Sequence, residues 1–394
     1  MEYGNNNSER RWINAGSAII VLLLFSIMAA SNVTAPIYDL YAIRYHFGPF
    51  IITDIFGIYV LMLIPSLLFW GQYSDRHGRK FPVGIGVIME LIGLLSFLFA
   101  RNVYMLFLGR AFMGLASGAI AGPASALLFH YHRKAGAVLT SIGTSAGTAT
   151  GPLIGGIMAQ YLPYPLRLVY LVSIILVLIP ALAMYPLKDT SPKNSVLKLH
   201  FPSIDRNVIR MFLLSSFVAF VAWSITAFFM SLAPVYIIKL SGVNNIAIGG
   251  IIVFLMLGIA SIFQIISLKL KIKNSMFSGM VFIAFAIVFI LISIMRNSLY
   301  VFIIGTILAG MGQGFAFTGA TREIKDISPP EKTGDMLANY YIIIYMGVGL
   351  PVILLGLLDR ITGLFYGILY YGIAFIVLSI VMGFLVIRDD FKYY

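Results

Sequence analysis

The stretch GQYSDRHGRK, Gly71 to Lys80, places five ionisable residues (Asp75, Arg76, His77, Arg79 and Lys80) in six positions. The twenty residues that follow, 81–100, contain one charge, Glu90. A charged decapeptide beside apolar runs of bilayer length, about 20 residues, is read first for what it says about a membrane. An active site or a nucleic-acid patch becomes the reading only if that one fails.

Composition supports the membrane. The 394 residues are 60% hydrophobic and 11% charged, with a mean hydropathy of +0.95. A soluble domain uses about 45–50% apolar residues and needs polar ones to cover its surface. The absence of cysteine excludes disulfides, thiolate chemistry and cysteine metal sites.

Apolar runs long enough to cross a bilayer recur at about 14–38, 50–72, 81–100, 104–130, 135–160, 166–187, 208–236, 246–268, 275–295, 299–322, 333–357 and 362–387. Backbone polar groups in lipid must be satisfied within the segment, so all twelve are expected to be helices. Arg10 and Arg11 before the first run imitate a signal peptide, but no small-residue cleavage site follows and the run continues past Ala30. A retained helix is expected there.

The 27 Lys and Arg residues are distributed unevenly. Twenty fall on the side of the termini and alternate loops, six on the other side, and Arg110 lies inside a run. By the positive-inside rule both termini are expected in the cytoplasm. The net charge of +12 then reports topology, and no nucleic-acid partner is implied.

One sizeable break, 188–207, divides the chain into residues 1–187 and 208–394, six runs each. Ala35-Pro36-Ile37-Tyr38 returns as Ala233-Pro234-Val235-Tyr236, Gly114 and Gly118 as Gly310 and Gly314, and Gly151-Pro152 as Leu350-Pro351. Three matches at nearly one offset favour duplication of a six-helix bundle. The fold class expected is an all-α membrane protein of twelve helices in a 6+6 pseudo-repeat.

Gly71–Lys80 then becomes the cytoplasmic loop between runs 2 and 3. Gly71 suits close helix packing, and Gly78 allows the positive φ of a tight turn. Here the sequence resembles the major facilitator superfamily, whose loop between helices 2 and 3 carries G-x-x-x-D-R-x-G-R-[RK]. Gly71, Asp75, Arg76, Gly78, Arg79 and Lys80 all match. The resemblance implies a solute transporter working by alternating access, with the loop as a conformational latch and Asp75 binding across to the second half. The equivalent stretch, Lys269 to Asn274, keeps charge without the motif.

Run 4 carries Arg110-x-x-Met113-Gly114, resembling the family's R-x-x-Q-G. An Arg inside a membrane costs about 2.5–3.5 kcal/mol on insertion scales, so it faces protein or water. Glu90 in run 3 lies within roughly 5 Å of the same depth at 1.5 Å per residue, and an intramembrane Glu90–Arg110 pair is expected, either a coupling site or a structural ion pair. Run 5 carries Gly147, Gly151, Pro152, Gly155 and Gly156 at spacings that let helices touch. The string resembles the pattern of the drug:proton antiporter-type branch, except that the glycine expected nine residues upstream of Gly147 is Val138. Asp39 and Asp54 are placed near outer helix ends, as interfacial charges or coupling acids. Asn32 stands where many antiporters of that branch carry an acid.

Runs 7–12 show no acid well inside the bilayer. A substrate cavity is expected to draw on Asn32, Tyr59, Trp223, Thr226, Gln264, Gln313, Asn339 and Tyr340, with Phe228, Phe229, Tyr341 and Tyr345 nearby, a lining for an amphipathic solute oriented by few hydrogen bonds.

The reading is a secondary transporter, proton-coupled for efflux of an amphipathic or drug-like compound. The alternatives are a proton-coupled importer of a sugar or organic acid, and a multi-span membrane enzyme. No HExxH, paired Asp-rich motifs or nucleotide loop supports an enzyme or primary pump. The expected partners are a small solute, protons and the bilayer. The protein is read as a monomer of the plasma membrane needing no cofactor or metal.

Overall fold

The structure, a computed structural model, describes residues 7–131, 135–187, 189, 203–241, 245–329 and 332–389. The described residues form fourteen α-helices. They are α1 (Asn7–Asn32), α2 (Tyr38–Tyr45), α3 (Pro49–His77), α4 (Lys80–Leu98), α5 (Val103–Tyr131), α6 (Gly136–Tyr161) and α7 (Pro165–Met184), then α8 (Ile209–Ser231), α9 (Ala233–Ser241), α10 (Ile246–Ser267), α11 (Ile272–Arg296), α12 (Leu299–Ile327), α13 (Thr333–Thr362) and α14 (Leu364–Arg388). No strand occurs among them. Eleven stretches are long and apolar enough to cross a bilayer. The run expected at 135–160 is α6, 26 residues long. Twelve of these are Gly, Ser or Thr, which lowers its hydropathy while leaving its length sufficient.

Two of the expected runs are not single helices. The first breaks after Asn32 and resumes as a short 3-10 turn, Ala35–Ile37, followed by α2. The seventh breaks at Leu232 and resumes as α9. Pro36 and Pro234 explain both interruptions. Proline has no N–H to donate to the preceding turn but fits the first turn of a new helix. The repeated Ala-Pro-x-Tyr thus marks the same restart in each half of the sequence.

Contacts divide the chain into two compact units, Met1–Ile37 with Leu61–Leu199, and Tyr38–Val60 with His200–Tyr394. The boundary runs through α3. In the first unit α1 packs chiefly on α6 and also touches α4, α5 and α7, while α4 packs on α5. In the second, α8 is buried almost all round, against α12, α13 and α14. α7 and α14 leave apolar stripes exposed, such as Leu171, Ile175, Ile179 and Leu182, at the 3–4 residue spacing of one helix face. In a membrane these meet lipid.

The duplicated glycines do equivalent work. A β-carbon on Gly118 of α5 would collide with Ser66 and Leu67 of α3, and one on Gly314 of α12 with Ala260 and Gln264 of α10. The outer half of α3 belongs to the second unit and closes on α13. A β-carbon on Gly57 would meet Ile353, one on Gly349 would meet Val60, and one on Gly356 would overlap Thr53.

Candidate functional site

Glu90 of α4 is fully buried and Arg110 of α5 is 2% exposed. Both meet Ser31 of α1. The Ser31 hydroxyl donates to the two carboxylate oxygens of Glu90, each at 3.0 Å. The Arg110 guanidinium donates to the Ser31 carbonyl at 2.7 Å. Three helices of the first unit are therefore joined at one serine. Opposite charges inside an apolar bundle are tolerable only when paired or hydrogen-bonded, and here both groups bond to one shared residue. Asn32 beside it donates to its own helix, at Met28 O, 2.7 Å.

The same α1 lies along a glycine ladder. On α6, β-carbons built at Gly147, Gly151 and Gly155 would overlap the carbonyl oxygens of Phe25, Ala29 and Val33, and one at Gly143 would sit 2.9 Å from Val21 O. Both series step by four residues, so one face of α6 follows a row of α1 carbonyls at backbone contact. Gly143 extends the sequence-read series by one turn. Its spacing was available in the sequence, whereas Val138 is exposed and off this row. Pro152 and Gly156 are buried, and α6 runs through Pro152 without a break. Beside the ladder an apolar groove of about 750 Å³ is lined by Ser17, Ala18, Val21, Leu22 and Phe25 of α1 with Leu139, Ile142, Gly143 and Ala146 of α6. None of these had been marked as lining by the sequence, because Leu, Ile and Val carry no polar signal.

The charged loop is a clamp. Gly78 has φ +115°, outside the range that a side chain tolerates, and the turn it makes aims the Arg79 N–H at Asp189 Oδ1, 3.0 Å away. Lys80 Nζ donates to Tyr185 O (2.7 Å) and Leu187 O (2.6 Å), satisfying carbonyls at the C-terminal end of α7. Arg79 also reaches Ala126 O on α5 at 2.7 Å. Gly78, Arg79 and Lys80 thus fasten the α3–α4 turn to α5, to α7 and to Asp189. Arg76 sits half-buried in the last turn of α3. The side chain of Asp75 lies outside the described residues, as do Arg133, Lys134 and 190–202 of the central break. Gly71, expected to serve close packing, faces open space instead: a β-carbon there meets nothing within 4 Å. Its carbonyl accepts from Ser74 Oγ at 2.8 Å.

The second unit has its own version of this joint, with the donor on the other element. Arg322 of α12 donates to Ser267 O and Leu270 O at the α10–α11 turn, both at 3.0 Å. At the end of the central break Asp205 accepts from the Asn207 N–H (3.0 Å) and pairs with Lys332 Nζ (3.1 Å). The Asn207 N–H first, and Lys332 second, hold its carboxyl below the usual carboxylate range.

The remaining sequence-marked residues are dispersed. Asp39 and Asp54 are half-buried on α2 and α3. Gln264 Nε2 approaches Gln313 Oε1 at 3.4 Å, Tyr340 and Thr321 share a hydrogen bond of 2.9 Å, and Trp223 packs edge-on against Phe317 at 5.5 Å. Thr226 donates back to Ala222 O (3.0 Å) and Asn339 to Asp335 O (3.2 Å). Tyr59 lies half-buried on the outer half of α3. Asn32 belongs to the first unit and the other seven to the second. The expectation of no acid well inside runs 7–12 concerns depth; just past the run read as 299–322, α12 continues to Ile327, and Glu323 within it is 6% exposed. Arg322, Lys325 and Asp326 around it had the look of a loop, but the helix carries them as its last turns.

Comparison with known proteins agrees with this architecture. The family model described as Major Facilitator Superfamily matches residues 20–296. The multidrug resistance protein MdtG of Proteus mirabilis is 36% identical over 127 residues, 30% of this chain and 30% of that protein. MdtG of Yersinia enterocolitica is 32% identical over 127 residues, 30% of this chain and 29% of its own length. The chain thus aligns with under a third of these relatives. Among solved structures, a bacterial homolog of the human lysosomal transporter Spinster, inward-facing and unoccupied, gives a TM-score of 0.74 at 15% identity over 98% of both chains. A POT family transporter in complex with 5-aminolevulinic acid gives 0.79 at 13% identity over 96% of both. Identities this low speak for the fold alone.

Proposed function

Because this chain belongs to the Major Facilitator Superfamily, we propose that it is a secondary transporter that exports an amphipathic, drug-like solute in exchange for protons. Two six-helix halves, 1–187 and 208–394, alternate access about a central site, with 188–207 as the connection. The protein works as a monomer in the plasma membrane, both termini in the cytoplasm, as the charge asymmetry of the loops requires.

The observation that carries the reading is the buried Ser31–Glu90–Arg110 cluster. A carboxyl and a guanidinium deep in an apolar bundle are expensive to retain unless they work. Glu90 is the group on which a proton can be carried, and Arg110 the fixed charge that favours its release. Ser31 passes the change to α1, and so to the α6 ladder. The apolar groove between α1 and α6 supports a solute with hydrophobic surface, and the MdtG relatives support drug efflux as its class. Asp39 and Asp54 serve as interfacial charges, and the Gly71–Lys80 loop, Asp75 included, as the latch.

The test uses purified protein in liposomes with an imposed pH gradient and a lipophilic cationic dye. Dye movement opposite to protons, abolished by a protonophore, is the expected result. Movement with protons would make the protein an importer, and indifference to the gradient a uniporter.

A further inference from the structure

Trp223, Gln264, Gln313 and Tyr340 are spread over four helices, yet they meet on one face of α12. Gln313, Phe317 and Thr321 stand at four-residue steps along that face. Each rung has a partner from a different helix. Gln313 faces Gln264 of α10 at 3.4 Å, Phe317 faces Trp223 of α8 at 5.5 Å with the rings at 89°, and Thr321 shares a 2.9 Å hydrogen bond with Tyr340 of α13. At 1.5 Å per residue the two polar rungs are about 12 Å apart, with the aromatic rung midway.

Burial lapses at the aromatic rung. Every residue from Val221 to Ile237 is buried except Trp223, and every residue from Gly312 to Ala320 except Phe317 and Thr318. Tyr341 and Tyr345 of α13 are half-buried too, with their rings 6.5 Å apart and Tyr341 5.7 Å from Tyr340. All of these residues belong to the second unit.

In this set Trp223 Nε1 is screened from solvent and has no acceptor among the described residues. An indole N–H can only donate, and a buried one ordinarily finds a partner. The hydroxyls beside it are committed. Ser224 donates to Phe220 O (2.7 Å) and Gly347 O (2.9 Å), Thr226 to Ala222 O (3.0 Å), and Thr321 to Phe317 O (2.7 Å). The perpendicular ring of Phe317 is at best a weak acceptor.

A site that holds a donor in readiness rejects a ligand lacking the acceptor, because the donor then stays unpaired. We propose that Trp223 is the specificity-determining donor for the solute. Its N–H bonds a carbonyl, ether or ring-nitrogen acceptor on a flat aromatic compound lying along this face of α12. The Trp223 and Phe317 rings part as the acceptor arrives, a side-chain change of a kind common on binding. This deepens the transporter reading, on which it rests, by naming the chemistry that marks an amphipathic solute as cargo.

Fluorenone and fluorene share one ring skeleton and differ in a carbonyl acceptor. Their equilibrium affinities are compared for the full-length protein in nanodiscs, with empty discs subtracted and no ion gradient imposed. The wild type is expected to bind fluorenone about tenfold more tightly. Trp223→Phe keeps a ring and loses the N–H, so the ratio is expected to fall to about one through weaker fluorenone binding. The other tryptophans are Trp12 and Trp70, and replacing both by Phe leaves one indole ¹⁵N–H resonance. That resonance is expected to shift with fluorenone and to stay with fluorene. A ratio of about one in the wild type, a preference that survives Trp223→Phe, or a resonance indifferent to fluorenone would overturn the proposal. If Trp223→Phe binds neither probe, the resonance decides. Dye movement indifferent to protons, with the tenfold ratio intact, would sink the coupling reading alone.

Discussion

At the scale of single residues, Gly78 and Asp205 bear separable loads. Gly78 has a φ of +115°, and a β-carbon there would displace the Asp189 carboxylate, so Gly78→Ala meets backbone strain and disturbs that contact. The expected loss is about 1–3 kcal/mol, read as a lower melting temperature in detergent, with Asp189→Ala causing a smaller drop. Asp205 gives a pH signature. Its folded-state pKa is lowered by the Asn207 N–H and by Lys332. Its stabilising contribution is therefore complete above the unfolded carboxylate value and lost as pH falls through the folded one. The melting difference between wild type and Asp205→Asn is expected to be present near about pH 7 and to shrink below about pH 4. A difference that grows with acidity would reverse the sign of this assignment.

At the scale of elements, the closest contact in the first unit is α6 on α1. Gly151→Leu places a side chain where the Ala29 carbonyl already lies. Overpacking of this kind costs about 1–3 kcal/mol, and more where backbone must separate, so the variant is expected to unfold earlier and to lose transport. Leucine at Gly71, which faces open space, is the control expected to cost little stability. The sequence makes part of this readable. Four-residue glycine spacing marks a contact face, and the similar depths of Glu90 and Arg110 follow from residue counting. Ser31 could not be read, because serine is common in apolar helices and no spacing ties residue 31 to residues 90 and 110. The end of α12 was set too early for another reason: the charges at 322–326 resemble a loop, whereas the helix carries them on to Ile327. The breaks at Pro36 and Pro234 were visible as a repeated Ala-Pro, yet apolar content alone runs straight across them.

At the scale of the whole molecule, hydropathy and charge asymmetry specify a great deal because lipid leaves the backbone little choice. Twelve membrane-length segments and the duplicated glycines follow from composition and period. Substrate is a different matter, since the groove between α1 and α6 is lined by residues that any membrane helix uses. Coupling is where function is most exposed to measurement. The most direct test records luminal pH in proteoliposomes as an amphipathic cation is added, for wild type and for Glu90→Gln, with solute binding measured in parallel. Solute entry is expected to drive protons out through the wild type. Glu90→Gln is expected to bind the solute and move no protons. Equal proton movement in both proteins would contradict the assignment of Glu90 as the coupling group.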